Sequence, residues 1–185
     1  AFKAGASAAL VENVAALPKE MVQGELRERI FVTPDTLGQF AALARWWRER
    51  CTAPVLGITG SVGKTTTKEL AAAILLEAGR GTYSVKSFNN HTGVPYTLLQ
   101  IAPEHQWAVI EMGMNHAGEI RARSQTARPN VALITKIAPA HIEFFENIHG
   151  IADAKCEILD GLVPGGTFVY NVDDEVLIEA VKRRL

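Results

Sequence analysis

Residues 55 to 66 read Val-Leu-Gly-Ile-Thr-Gly-Ser-Val-Gly-Lys-Thr-Thr: a short apolar run, a glycine-rich turn, then a lysine and two hydroxyls. A strand followed by a turn and a helix start builds a cradle for phosphate. The glycines let backbone N–H groups converge, and the helix N-terminus adds a partial positive charge. Lys64 then reaches the outer phosphates, and the Thr65 hydroxyl is a ligand for Mg²⁺. The spacing departs from the common G-x-x-x-x-G-K-[ST] pattern. Four intervening residues counted back from Gly63 end on Ile58, which is not a glycine. The stretch is therefore a phosphate loop in chemistry and a variant in form.

A chain of 185 residues has room for one full domain, or one domain and part of another. Its net charge of −1 gives no general reason to expect nucleic acid or an anionic membrane as partner. Cys51 and Cys156 stand far apart, outside any zinc-type spacing, and read as reduced thiols. No apolar run approaches the length of a membrane span. The start, Ala1-Phe2-Lys3-Ala4-Gly5, carries no signal-peptide pattern and reads as a chain entered in mid-domain.

Two apolar runs, Ala8–Val11 and Arg29–Val32, predict short strands of a small α/β piece. Thr33-Pro34-Asp35 then starts a helix, with Thr33 as N-cap and Leu37, Phe40, Ala41, Ala44 and Trp47 on one face. Thr52-Ala53-Pro54 marks the boundary, giving units 1–52 and 53–185. A helix over 65–78 is expected to bury Leu70, Ile74, Leu75 and Ala78. A strand over 81–85 leads to a polar loop around Asn89 and Asn90, with a helix from Tyr96 to Ile101. Trp107–Glu111 reads as a buried strand ending in a carboxylate, and Val131–Thr135 and Gly165–Tyr170 as two more. A last helix covers 173–184. This alternation predicts an α/β fold, a mainly parallel sheet with helices on both faces. Glu111 falls at the carboxyl edge of that sheet, where ligands collect, and is placed for a Mg²⁺ held by phosphates.

Residues 151 to 162 have helical periodicity, with Ile151, Ala154, Ile158, Leu159 and Leu162 on one stripe and Asp153, Glu157 and Asp160 opposite. Lys155 falls inside the apolar stripe. A cation there must snorkel, find a partner, or become neutral and open to modification.

Five stretches in order resemble the ATP-dependent Mur ligases of bacterial cell-wall synthesis. They are Thr59–Glu69, Asn89–Leu99, Val109–Gly113 with Gly118-Glu119-Ile120, Ala140-His141, and Ala154–Ile158. The resemblance spans residues from about 55 to 170. The first stretch is common to Mur-type ligases, which accounts for the glycine spacing. The second and third together point to the member that adds D-alanyl-D-alanine to UDP-N-acetylmuramoyl-tripeptide. Relatives that add diaminopimelate or lysine, folylpolyglutamate and cyanophycin synthetases, and a non-catalytic nucleotide-binding module, stand as alternatives.

The resemblance implies a P-loop-type ATPase domain preceded by the tail of a UDP-substrate domain. Gly60, Ser61, Val62, Gly63, Lys64, Thr65 and Thr66 would cradle the ATP phosphates, with Asn89 and Asn90 bordering the site. Thr65 and Glu111 would hold one Mg²⁺, and His141 a second. Lys155 matches a lysine that CO₂ converts to a carbamate bridging to that second ion. Lys64, His141 and Lys155 would thus carry the chemistry, an ADP-forming amide ligation through an acyl phosphate. The implied protein is a cytoplasmic monomer in its full-length form, acting on small molecules. Lys136 departs from the family, which usually has asparagine there. The family's C-terminal domain is also missing, so the chain is expected to be a fragment inactive alone.

Overall fold

A computed structural model describes residues 2–140 and 142–185. His141, the expected second-metal ligand, lies outside the described residues. Two compact units divide between Phe40 and Ala41, ahead of the boundary expected at Thr52.

In the first unit, β1 (Ala9–Val11) and β2 (Ile30–Val32) pair in parallel, Leu10 opposite Phe31. Between them lie a one-turn helix, α1 (Lys19–Val22), and short 3₁₀ turns. Arg29 donates to the carbonyls of Ser7 and Ala6, both at 2.6 Å. The next helix, α2 (Thr36–Arg48), begins later than Thr33-Pro34 implies. Asp35 is the reason: its Oδ1 accepts from Gly38 N at 2.8 Å and caps the first turn in place of Thr33.

The second unit contains the later part of α2. Ala44 is fully buried there, Trp47 Nε1 donates to Ile101 O, and Arg48 donates to Ala127 O. These contacts put the division within α2. Trp46 is exposed, with the Arg50 guanidinium over its ring.

The sheet of this unit has five parallel strands in the order β4-β5-β3-β6-β7. They are β3 (Val55–Thr59), β4 (Gly81–Tyr83), β5 (Trp107–Glu111), β6 (Val131–Ile134) and β7 (Thr167–Tyr170). Every residue of β5 is buried, as a central parallel strand requires. The helices are α3 (Lys64–Ala78), α4 (Gly93–Leu99), α5 (Glu119–Ala127), α6 (Ile148–Cys156) and α7 (Glu175–Arg184). α5 was not foreseen. α4 starts before Tyr96, because Asn90 Oδ1 accepts from Thr92 N and Gly93 N and sets its first turn. A 3₁₀ segment, Glu157–Gly161, continues α6. Among the described residues no helix is long and apolar enough to cross a membrane.

One helix is rotated from expectation: of the residues expected inside, Leu75 packs against the core beside Ala72, whereas Ala78, Leu70 and Ile74 are exposed. Leu70 and Ile74 of α3 are 62% and 71% exposed, while Lys68 and Ala72 are buried. The face is set by Lys68, whose ammonium meets carbonyl oxygens beneath the helix rather than water. Glu157 is likewise buried, although it lies opposite the apolar stripe of residues 151 to 162. Its carboxylate accepts from Gly118 N at 2.7 Å and Arg121 N at 3.1 Å, capping α5.

Candidate nucleotide and metal site

β3 is central, with β5 on one side and β6 on the other, so the loop leaving it opens at the carboxyl edge where the strand order reverses. Gly60 takes φ +145°, and a Cβ there would collide with the Thr135 hydroxyl. Gly63 takes φ +86° as N-cap of α3, a left-handed conformation costly for other residues. Ser61 N donates to Lys136 O, and the Thr135 hydroxyl donates to Val62 O, so the loop is tied to the end of β6. Lys136 makes that tie through its backbone and leaves its side chain exposed.

Lys64 Nζ donates to the carbonyls of Gly60 at 2.6 Å and Ser61 at 3.2 Å, curling over its own loop. Burial lowers its pKa, opposed by the nearby Glu111 carboxylate. Across the sheet edge, the Thr65 hydroxyl lies 3.0 Å from Glu111 Oε2 and 3.2 Å from Oε1. Asn89 Nδ2 donates to Glu111 Oε1 at 2.8 Å, which brings the 84–92 loop into the site. Asn90 is directed elsewhere, since its side-chain oxygen serves the turn before α4. Thr66 is exposed on the first turn of α3.

A cavity of about 220 Å³ is lined by Ser61, Lys64, Asn89, Gly113, Met114, Asn115, Ala140 and Lys155. The lysine read from the apolar stripe of α6 thus shares one cavity with the phosphate-loop lysine. Lys155 is 2% exposed, and among the described residues no carboxylate forms an ion pair with it. Burial first, then repulsion from Lys64 and Arg123, pushes its pKa down to about 7, against a weaker attraction from Glu119.

These donors suit the groups expected. Ser61 Oγ is buried without a hydrogen-bond partner among the described residues, an orphan that a phosphate oxygen would satisfy. A hydroxyl and a carboxylate in contact are hard oxygen donors of the kind Mg²⁺ takes alongside phosphates. Among the described residues no cluster of three or more His, Cys, Asp or Glu forms a complete metal cage. That is normal for Mg²⁺, which is commonly bound by one or two carboxylates with the substrate completing the shell.

Sequence reasoning missed Lys68, whose ammonium lies 3.8 Å from Glu111 Oε2 at this site, and, away from the cavity, Glu157 at the start of α5. Both look like surface charges, and only the rotated face of α3 and the unforeseen α5 reveal their partners.

The fold and site define a phosphate-loop α/β domain, and residues 58–185 match the Mur ligase middle domain. The chain belongs to the Mur ligase family. Among similar proteins, the UDP-N-acetylmuramoyl-tripeptide–D-alanyl-D-alanine ligase of Synechocystis sp. is 42% identical over 153 residues, 83% of this chain and 34% of that protein. The ligase of the same name from Escherichia coli is 44% identical over 143 residues, 77% of this chain and 32% of that protein. The MurF ligase of Thermotoga maritima, solved in complex with ADP, superposes with TM-score 0.83 at 28% identity, covering 98% of this chain and 40% of that one. MurF from Acinetobacter baumannii gives 0.80 at 37% identity, covering 83% and 34%. The chain spans about a third of the length of the curated relatives it matches.

Proposed function

We propose that this chain is the nucleotide-binding core of an ATP-dependent, ADP-forming amide ligase that joins D-alanyl-D-alanine to UDP-N-acetylmuramoyl-tripeptide in the cytoplasm. The single observation that carries the reading is Lys155, buried and unpaired by any carboxylate among the described residues, lining one cavity with Lys64. A nucleotide-gated switch needs the phosphate loop and Glu111 but has no use for that second lysine. Relatives of the same activity support the choice of substrates.

In this reading the backbone N–H groups of the loop and the Lys64 ammonium hold the ATP phosphates and orient the γ-phosphorus. The tripeptide carboxylate attacks that phosphorus, ADP leaves, and an acyl phosphate forms. The amine of D-alanyl-D-alanine attacks the acyl carbon, the C–O bond to phosphate breaks, and the departing phosphate takes up the proton that the amine loses. No enzyme nucleophile takes part, so positioning and charge neutralisation supply the rate. Mg²⁺, when bound, supplies much of that neutralisation at phosphate oxygens. Thr65 and Glu111 would hold one ion. Lys155, as a carbamate formed with CO₂, would present an anion to a second, with His141 as its partner. Ser61 and Asn89 would line the phosphate side.

The carbamate is tested by ¹³C NMR of the protein equilibrated with ¹³C-bicarbonate. One carbamate resonance that vanishes in Lys155→Ala is expected. A spectrum identical in the two proteins would remove Lys155 from the reading.

A further inference from the structure

Lys68 is the largest fully buried side chain among the described residues, at 0% exposure, and the chemistry above does not use it. It stands one helical turn beyond Lys64 on α3. Its ammonium donates to Lys86 O at 2.6 Å and Ser84 O at 2.8 Å. It also pairs with Glu69 Oε1 at 2.9 Å and lies 3.8 Å from Glu111 Oε2. The Tyr83 ring is 5.9 Å from the ammonium.

A lysine whose only task is to anchor a helix needs no route to a carboxylate at a ligand site. This one joins three parts. Ser84 Oγ accepts from Glu111 N at 3.0 Å, and Ser84 N donates to Val109 O, so the end of β4 is fixed to β5. Lys86 has φ +50°, a strained backbone for a side-chain-bearing residue, and its carbonyl takes the shortest of the lysine's contacts. Three residues on, Asn89 donates to Glu111 Oε1 while its own carbonyl accepts from Gly113 N. The Glu111 carboxylate is therefore held by Thr65 and Asn89 on one side and by the Lys68 charge on the other.

We infer that Lys68 is a positioning residue, which fixes the Glu111 carboxylate and the strained 84–89 loop so that the divalent-cation site is formed before the cation arrives. The inference rests on the reading of Glu111 and Thr65 as Mg²⁺ ligands. Two effects of the lysine oppose each other. As a bare cation it repels Mg²⁺, so losing it would tighten metal binding. As a positioner it pre-orders a ligand, so losing it weakens binding, and loss of such outer partners typically costs about 10–100-fold in metal affinity. The network is dense enough for positioning to win.

The experiment is Mg²⁺ titration of ADP binding, followed by calorimetry on the whole chain and on Lys68→Met and Lys68→Gln. The glutamine amide keeps a hydrogen-bond donor on the side of the two carbonyls but carries no charge, and circular dichroism checks that each variant is folded. Both variants are expected to need about tenfold more Mg²⁺ for half-maximal enhancement, with ADP affinity in the absence of Mg²⁺ close to wild type. An unchanged or lower Mg²⁺ requirement in the glutamine variant overturns the inference. So does its failure to fold, which would make the lysine's work structural. A wild-type chain whose ADP binding ignores Mg²⁺ would instead overturn the metal reading beneath it.

Discussion

At the scale of single residues, the chemistry depends on charges placed where water is scarce. Lys155 shows the cost. Unfolded, its amine keeps the ordinary value near 10.5, whereas in the fold that value is about 7. Between the two, the unfolded chain binds the extra proton, so this residue makes stability rise with pH, by at most about 1.4 kcal/mol per pH unit. Below pH 7 both states are protonated and the full penalty for a buried ammonium stands. In CO₂-depleted buffer, Lys155→Met is therefore expected to raise the denaturant midpoint most below pH 7, the gain fading towards pH 10.5. A gain that does not vary with pH would contradict the burial argument. Under the proposed function the same cost would favour modification: a carbamate would exchange a disfavoured cation among cations for an anion near Lys64 and Arg123.

At the scale of elements, α3 separates what sequence pattern can read from what it cannot. Leu70 and Ile74 make a convincing apolar stripe, yet the buried side of the helix carries Lys68 and Ala72. Substituting Ile74→Gln in this chain should therefore change stability by less than about 0.5 kcal/mol. Ala72→Leu, placed against Ile58 and Val109, should cost about 1–3 kcal/mol by overpacking, read by urea unfolding. The reverse order would restore the face expected from the sequence. A second tie joins α5, the 3₁₀ segment after α6, and α7. Asp160 accepts from both Arg121 and Arg184. Burial opposes its ionisation, but hydrogen bonds from the two guanidiniums prevail and hold its carboxyl below the ordinary range. The stability it contributes is present above the ordinary carboxylate pKa and is lost as pH falls through the depressed folded value. Asp160→Asn should thus be less stable at pH 7 by about 1 kcal/mol, a deficit that shrinks in acid, measured by unfolding at both ends of that range. What the sequence made legible was local: the phosphate loop, the wholly apolar β5 ending in Glu111, and Lys155 out of place on its stripe. Lys68, Glu157 and Asn90 were not legible. Their roles depend on backbone groups of other segments or on a turn, and a polar side chain reads as solvated until those groups are in place.

At the scale of the whole molecule, the parallel sheet brings the loop after β3 and the end of β5 to one edge, and the cavity there unites residues far apart in sequence. The phosphate loop names a ligand class, while Glu111 and Lys155 narrow the chemistry. The central claim is that this edge binds a nucleotide through its phosphates, with Mg²⁺ held at Thr65 and Glu111. Binding to the folded state alone would stabilise it by about 2.7 kcal/mol at a hundredfold excess over Kd. The most direct measurement is thermal unfolding of this chain with MgADP, beside Lys64→Ala and Glu111→Gln. The account predicts a nucleotide-dependent rise in Tm for the wild type that both substitutions abolish. A rise that survives in both, or no rise at any MgADP concentration, would contradict it.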